Sequence, residues 1–591
     1  MDDKYYTEEL NYLLELGREF TKHHPDKSQM LHMDDVRSRE ANLERLLESF
    51  AFLSSRVRKR IDSDFPQIAD ALFGTMWPGY INPVPSFALL EFIPALWDFA
   101  EAVTIPAGAL IDSEPSDNDV QCRFRTCFDA SVLPVEVTEA RVESTGSSAQ
   151  LNLTISLSKE TNLDSLQNHK LKIQIFDDPA YAWQLYDILL GRKGRRRYID
   201  TISVTGMNTD NQAVGAWKLM PEAISPVGLT ADELLLPTTK TNLWCFELLR
   251  DFFLFPEKYQ AFNVDIFGKL LGCEGVETLL FKIDLNVPWP SNLKVRHDQF
   301  RPNTVPIVNL FSHDANPIRL NDLHRQYAIE GDSQHPQHFQ IYSIDHVESI
   351  EVNTNARRVY EPRYTSHSHV VSDAEQGRFY SIERSKAPWG GWDSLISFVN
   401  NDVNDQDSSR EEIVSLNTTC TNGRLASKLS PKQIHFPISY VDQRLKLHNI
   451  TAPTPYIIPN IEQISLWRWL SHAALNYMSI HSKEQLKTLL SLHDFSNADA
   501  NRRKIAGIED IEMKTTRTLF KGALMPGISA TVRIDEKSFT SEGEIQLFAQ
   551  VLSVFMSAYA TINSYIQLTV VMDPSERTIE LEPQIGESFP L

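Results

Sequence analysis

The sequence predicts an α+β chain: an N-terminal α-helical segment, a β-rich multi-domain middle and a small C-terminal α+β unit. Three patterns predict it. Up to residue 82 the apolar residues recur at helical spacing. From 83 to 455 short alternating runs are cut by turn residues. From 456 onward helices resume and lead to a strand, one long amphipathic helix and two more strands.

The N-terminal segment opens on Tyr6, Leu10, Leu13, Leu14 and Leu16, which fall on a helical period. Its main feature runs from Asn42 to Tyr80. Leu43, Leu46, Leu47, Phe50, Leu53, Val57 and Ile61 form an apolar stripe, with Glu44, Arg45, Arg56, Arg58, Lys59 and Arg60 between them. Asp64-Phe65-Pro66 stops and restarts the helix, because the residue before proline is pushed out of the α region while proline suits the first helical position. A shorter helix with Ile68, Leu72, Phe73 and Met76 should end at Trp77-Pro78-Gly79.

In the middle, the run FALLEF after Pro83 and Pro85 suits a strand, as do Cys122 to Phe128, Leu133 to Val137, LNLTISL ending at Leu157, Leu171 to Phe176 and Phe281 to Leu285. Tyr181 to Leu190 and the aromatic stretch Trp244 to Phe255 return to helical spacing. The Pro-rich TAPTPYIIPN closes this region. Helices then follow at Ser465 to Ile480 and from Ser482, where Gln485 completes a capping box. The last segment reads as the strand GISATVRI, a helix capped by Ser541 and Glu544 with the stripe Phe548, Val551, Leu552, Phe555, Tyr559 and Ile562, and strands at Tyr565 to Val571 and Thr578 to Leu581. The helix should pack across the sheet. A chain of 591 residues suggests about three or four domains. The division expected is a helical assembly segment at 1–82, a β-rich domain with helical insertions at 83–290, a β- and loop-rich domain at 291–455 and a C-terminal α+β domain at 456–591.

With 57 basic against 78 acidic residues the net charge is −21, which argues against general binding to nucleic acid or to an anionic membrane. Five cysteines without CxxC spacing favour a reducing compartment. The first residues lack the basic and apolar regions of a signal peptide, and no window approaches a membrane span. These features lead us to expect a soluble, cytoplasmic protein with no direct membrane insertion.

GxSxG, HExxH, GxxxxGK[ST], EF-hand and GxGxxG motifs are all absent. Gly191 to Arg197 puts five cations in seven residues, Arg195 and Arg196 at its centre, and reads either as a solvated loop or as a grip for an acidic partner surface. Trp389-Gly390-Gly391-Trp392 offers two indoles around flexible backbone, suited to an interface anchor or to a core beside a turn. His335 with His338, and His367 with His369, have spacings a metal could use, yet no cysteine lies nearby, and no metal or cofactor is expected. Cys122 and Cys127 lie five apart on a strand and point to opposite faces. Asp177-Asp178 before Pro179 reads as a turn cap.

Several separated stretches together resemble one family, the TssF (VasA/ImpG) subunits of bacterial type VI secretion baseplates. They are YYTEELNYLLELGREFTKHHP, LERLLESFAFLSSRVRKRIDSDFPQIADALFGTMWPGYINPVPSFALLEF, FELLRDFFLFPEKYQAFNV, NTVPIVNLFSHDANPIRL with the later YSIDHV, LKTLLSLHDF, AGIEDI and LFAQVLSVFMSAYATINSYIQL, in order along nearly the whole chain. The GRKGRRR loop and the polar stretch 400–412 stand apart from that pattern. The resemblance implies a fold like the wedge proteins of contractile phage tails and a structural, non-enzymatic role. It also implies partners: TssG, with two TssF copies per TssG, then TssK, TssE and the VgrG spike hub, in a baseplate docked at the inner-membrane complex. On this view Leu46, Phe50, Val57, Ile61 and Trp77 anchor the N-terminal helices to partner helices, since each Leu or Phe covered by another chain contributes about 1.5–3 kcal/mol. The competing expectation is a carbohydrate-active enzyme with a two-carboxylate site, suggested by the long, acidic, aromatic-rich composition.

Overall fold

The computed structural model describes residues 48–49, 51–52 and 82–586, apart from 97, 117–118, 160, 162, 195, 237–243, 271–272, 274, 321–323, 353, 364–377, 388–390, 401–411, 440–441, 443, 459–481, 521–522, 559 and 561–562. Two compact units emerge, Met1–Ile81 with Ile461–Leu470, and Asn82–Asn460 with Ser471–Leu591. In the first, residues 48, 49, 51 and 52 are helical, with Ala51 buried and Phe52 exposed. Leu46, Phe50, Val57, Ile61 and Trp77 lie outside the described residues.

The second unit is rich in sheet. FALLEF is continuously apolar because its strand, Phe87–Pro94, is buried on both faces. Ala88, Leu90 and Phe92 enter one core with Phe124, Ile111, Val305, Ile307 and Leu447, while Phe87 and Leu89 enter another with Phe255, Val308 and Tyr342. The strand sits in a six-stranded sheet in the order Ile434–Pro437, Leu110–Pro115, Gln121–Thr126, Thr304–Val308, Phe87–Pro94, Leu445–Asn449. The sheet curls until its two end strands meet at Asn449. That side chain is fully buried; its Oδ1 accepts the Ile434 N–H at 2.9 Å and its Nδ2 donates to the carbonyls of Ser430 and Thr451. A second buried amide pair ties this sheet to the next, where Asn309 Nδ2 donates to Asn422 Oδ1 at 2.7 Å.

The alternating run LNLTISL forms part of Ser148–Leu157, central in a five-stranded antiparallel sheet ordered Ala213–Leu219, Ile199–Met207, Thr278–Leu285, Ser148–Leu157, Val135–Thr145. The register sets Leu153 opposite Phe281 and Phe281 opposite Val204, so one apolar face is continuous across strands. That face packs on the largest core. The described helices are α1 (Pro179–Leu190), α2 (Trp244–Leu254), α3 (Lys483–His493), α4 (Asp499–Ala506) and α5 (Glu542–Ser557). Helix α5 is the crossover between strands Ala523–Asp535 and Tyr565–Asp573, which pair in parallel. Its stripe meets α2, with Phe548 5.6 Å from Phe252 and Phe555 5.4 Å from Phe246.

Two expectations change. The six-stranded sheet takes strands from both sides of residue 290, and the largest core joins residues 133–300 to residues 486–581. The divisions at 290 and 455 therefore do not separate independent cores. At the α5 N-terminus Ser541 Oγ makes no cap; Glu544 instead accepts the Thr540 N–H at 2.8 Å. The box at Ser482 forms in both directions.

Candidate partner interface

The basic run folds as a hairpin. Arg192–Lys193 pairs with Arg196–Arg197, and Gly194 at φ 63° provides the left-handed turn residue. Its three described arginines are engaged within the chain. Arg192 pairs with Glu582 at 3.5 Å and Arg196 with Asp200 at 3.2 Å, while Arg197 Nη1 donates to the carbonyls of Pro221 and Ile224. Burial pulls the Arg197 pKa down. The Gly194 N–H donates to the carbonyl of Thr578, fastening the hairpin to the C-terminal strands. The hairpin is thus a clasp on the C-terminal strands, from which Arg196 projects into solvent. Arg195 lies outside the described residues.

Trp392 opens strand Trp392–Asn400 opposite Lys386 and is half-buried. Its indole Nε1 is buried with no acceptor among the described residues. The Ala387 N–H donates to the Gly391 carbonyl at 2.9 Å, closing the turn. Trp389 lies outside the described residues, as do His367 and His369. His335 leans on Asp332 and stacks near His338, and no metal-holding group of His, Cys, Asp and Glu occurs among the described residues. All five cysteines are free.

Two groups of charges went unnoticed in the sequence. A cleft of about 390 Å³ lies where strands Phe87–Pro94 and Phe300–Pro302 meet. Glu91 accepts from Arg301 Nη1 at 2.7 Å, His448 Nε2 stands 3.7 Å from the same carboxylate, and the Arg301 guanidinium lies over the Phe176 ring. Burial pushes His448 below the usual histidine range, although Glu91 opposes it. The signal was an acid within an otherwise apolar strand. Around α2, Lys258 Nζ donates to Asp251 Oδ2 at 2.8 Å with both side chains fully buried, Arg250 pairs with Glu247, and Lys504 pairs with Glu544 at 2.6 Å. Here the signal was Arg250-Asp251 inside LLRDFFLF. These pairs are enclosed in the core, where ions need partners to be tolerated.

No helix among the described residues is long and apolar enough to cross a membrane. The family model of the type VI secretion system TssF proteins matches residues 3–588. The chain belongs to the TssF family. It is 24% identical over 607 residues to the type VI secretion system component TssF1 of Pseudomonas aeruginosa, with 95% of each covered. Its fold is similar to a chain of a type VI secretion TssK–TssF–TssG baseplate subcomplex solved by cryo-electron microscopy, at a TM-score of 0.74 and 23% identity over 93% of this chain and 100% of that one. A chain of another type VI secretion baseplate complex matches at a TM-score of 0.62 and 21% identity, over 99% of this chain and 100% of that one. As a TssF-family fold, the described unit is rich in sheet and encloses a few ion pairs, Lys258–Asp251 and Lys504–Glu544 among them.

Proposed function

We propose that this chain is a structural, non-enzymatic subunit of a type VI secretion baseplate. The observation that carries the reading is the span of the family match, residues 3–588, which takes in the N-terminal segment as well as the sheet-rich unit. A match of that extent argues for a shared role of the whole protein rather than a borrowed module. The chain works in the cytoplasm, in a baseplate docked at the inner-membrane complex. It joins TssG, two copies to each TssG, and the resulting wedge meets TssK, TssE and the VgrG hub. The carbohydrate-active alternative draws no support from these likenesses.

In this assembly the sheet-rich unit is the rigid body and the segment 1–82 is the handle, with Leu46, Phe50, Val57, Ile61 and Trp77 as its anchors. A few apolar anchors dominate most interfaces. Co-expression with TssG and TssK tests the role: the unaltered chain should co-purify with both, and a chain that stays apart from both would reject it. Replacing Phe50 and Val57 with Asp should abolish co-purification with TssG. A folded double variant that still binds TssG fully would remove these residues from the interface.

A further inference from the structure

The five-stranded sheet has two edges, and they are built differently. Strand Val135–Thr145 closes one edge with Glu136, Glu139, Arg141 and Glu143, and its pairing shifts register between Val137 and Glu139. Charges and bulges keep foreign strands from adding to a sheet. Strand Ala213–Leu219 closes the other edge. It has no proline, its one charge is Lys218, and every residue from Ala213 to Lys218 is exposed or half-buried. Its single register shift falls at the hairpin end, between Gly206 and Met207, which leaves Gly215 to Leu219 in regular pairing. Val214 and Met220 expose 43% and 67% of their surface, so this edge is also apolar.

The glycines here serve one indole. A Cβ on Gly215 would come within 2.6 Å of the Trp217 ring, and one on Gly206 within 3.1 Å. Trp217 thus lies along the strand end on the core side. On the opposite, solvent face the register aligns Lys218, Ser203, Lys282, Asn152 and Arg141 in one row across all five strands. Arg141 pairs with Glu139. Lys218 and Lys282, two interstrand steps or about 10 Å apart, make no ion pair among the described residues. On a chain of net charge −21, the unpaired Lys218 ammonium on an unguarded edge strand, with Lys282 two strands further in on the same face, favours an acidic occupant.

We propose that Ala213–Leu219 is a docking edge for an acidic β-strand of another protein, which extends this sheet by one strand and sets a carboxylate beside Lys218. Main-chain hydrogen bonds supply the attachment, and side-chain alternation supplies the choice of partner. A second copy of this chain fits less well. Antiparallel pairing about Ala216 would set Lys218 opposite Val214 and bring neither lysine a carboxylate. The docking edge does not depend on the baseplate role.

Hydrogen exchange of the full chain read by mass spectrometry tests it, with two blocked probe peptides at millimolar concentration and low salt, TVEVTVEV and TVKVTVKV. The acidic probe should slow the amides of 213–219 by about tenfold and leave 135–145 unchanged, while the basic probe should do nothing. Lys218→Glu should reverse that preference. Ala216→Pro should abolish the protection, and Val214→Glu, at an exposed position, should weaken it should the proline variant not fold. Unchanged exchange at 213–219 with the acidic probe, or equal slowing by both probes, overturns the proposal. Protection that rises with protein concentration alone assigns the edge to a second copy and overturns it as well.

Discussion

Replacing Lys258 with Met isolates the buried charge pair at the centre of the α2 core. Lys258 Nζ and Asp251 Oδ2 are 2.8 Å apart with neither side chain exposed, and the same carboxylate oxygen accepts the Leu235 N–H at 2.9 Å. The ammonium also lies 4.8 Å from the centre of the Tyr259 ring. Met fills much the same volume but leaves Asp251 with one neutral donor and no cation. Breaking one side of such a pair costs about 3–5 kcal/mol, because the remaining ion is buried without compensation. The double variant Lys258→Met, Asp251→Asn removes both charges and leaves an amide oxygen that can still accept from Leu235. It should recover about half of the loss or more, as charge pairs replaced together often do. Native-state hydrogen exchange of the α2 amides, under conditions where reclosing outpaces chemical exchange so that the rate follows the opening equilibrium, measures this locally in a chain too large for a two-state melt. A loss of about 3 kcal/mol corresponds to exchange more than a hundredfold faster. A single variant that costs below about 1 kcal/mol, or a double variant as damaged as the single, would refute the account.

Three further outcomes follow, two in the same core and one in the six-stranded sheet. Burial, with Glu542 adding to it, raises the Asp187 carboxyl from 3.8 to about 7. The native state therefore binds this proton more readily than the unfolded chain between those values, and the stability this proton lends is lost as pH rises toward 7. Asp187→Asn should raise the melting temperature at pH 8 and give no gain near pH 4; a gain independent of pH would contradict this. At the α1–α5 crossing a Cβ on Gly543 would meet the Trp183 carbonyl oxygen at 2.1 Å, so Gly543→Ala should cost at least about 1–3 kcal/mol, read as a lowered thermal midpoint. Asn449→Leu orphans the Ile434 N–H and the two carbonyls Asn449 serves, and should speed exchange across 434–437 while sparing α5.

Alternation was the most legible part of the fold. LNLTISL and FKIDL each declare one buried face, and they prove to be neighbours, Leu153 opposite Phe281. The α5 stripe was equally plain, since Phe548, Val551, Leu552 and Phe555 are all fully buried. Which strands would meet was not legible. Pairing of Phe87–Pro94 with Leu445–Asn449 joins segments far apart in sequence, and no local pattern encodes a partner so distant. Strand Ile508–Phe520 was missed for another reason. Its run IEDIEMKTTRTLF is polar on much of both faces, so its apolar alternation is weak, yet it pairs along its length with Ala523–Asp535. At the α5 N-terminus the capping box read from Ser541 and Glu544 did not form: Ser541 Oγ makes no cap bond, and Glu544 takes the Thr540 N–H.

The charges show that density along the chain does not tell which cations the fold has already paired. Five cations in seven residues at Gly191 to Arg197 looked like the place to meet an acidic surface, but local density also gives such a run nearby acceptors to satisfy. Arg192, Arg196 and Arg197 found Glu582, Asp200 and two carbonyls, so another protein would have to displace bonds already made. Lys218 and Lys282 are isolated in sequence and looked unremarkable. Register alone brings them into one row, on a face where neither reaches a carboxylate, so an incoming acid there gains attraction without first breaking an internal pair. A cation is therefore available for recognition according to what its fold leaves opposite it, and that is decided by strand pairing rather than by charge density along the chain.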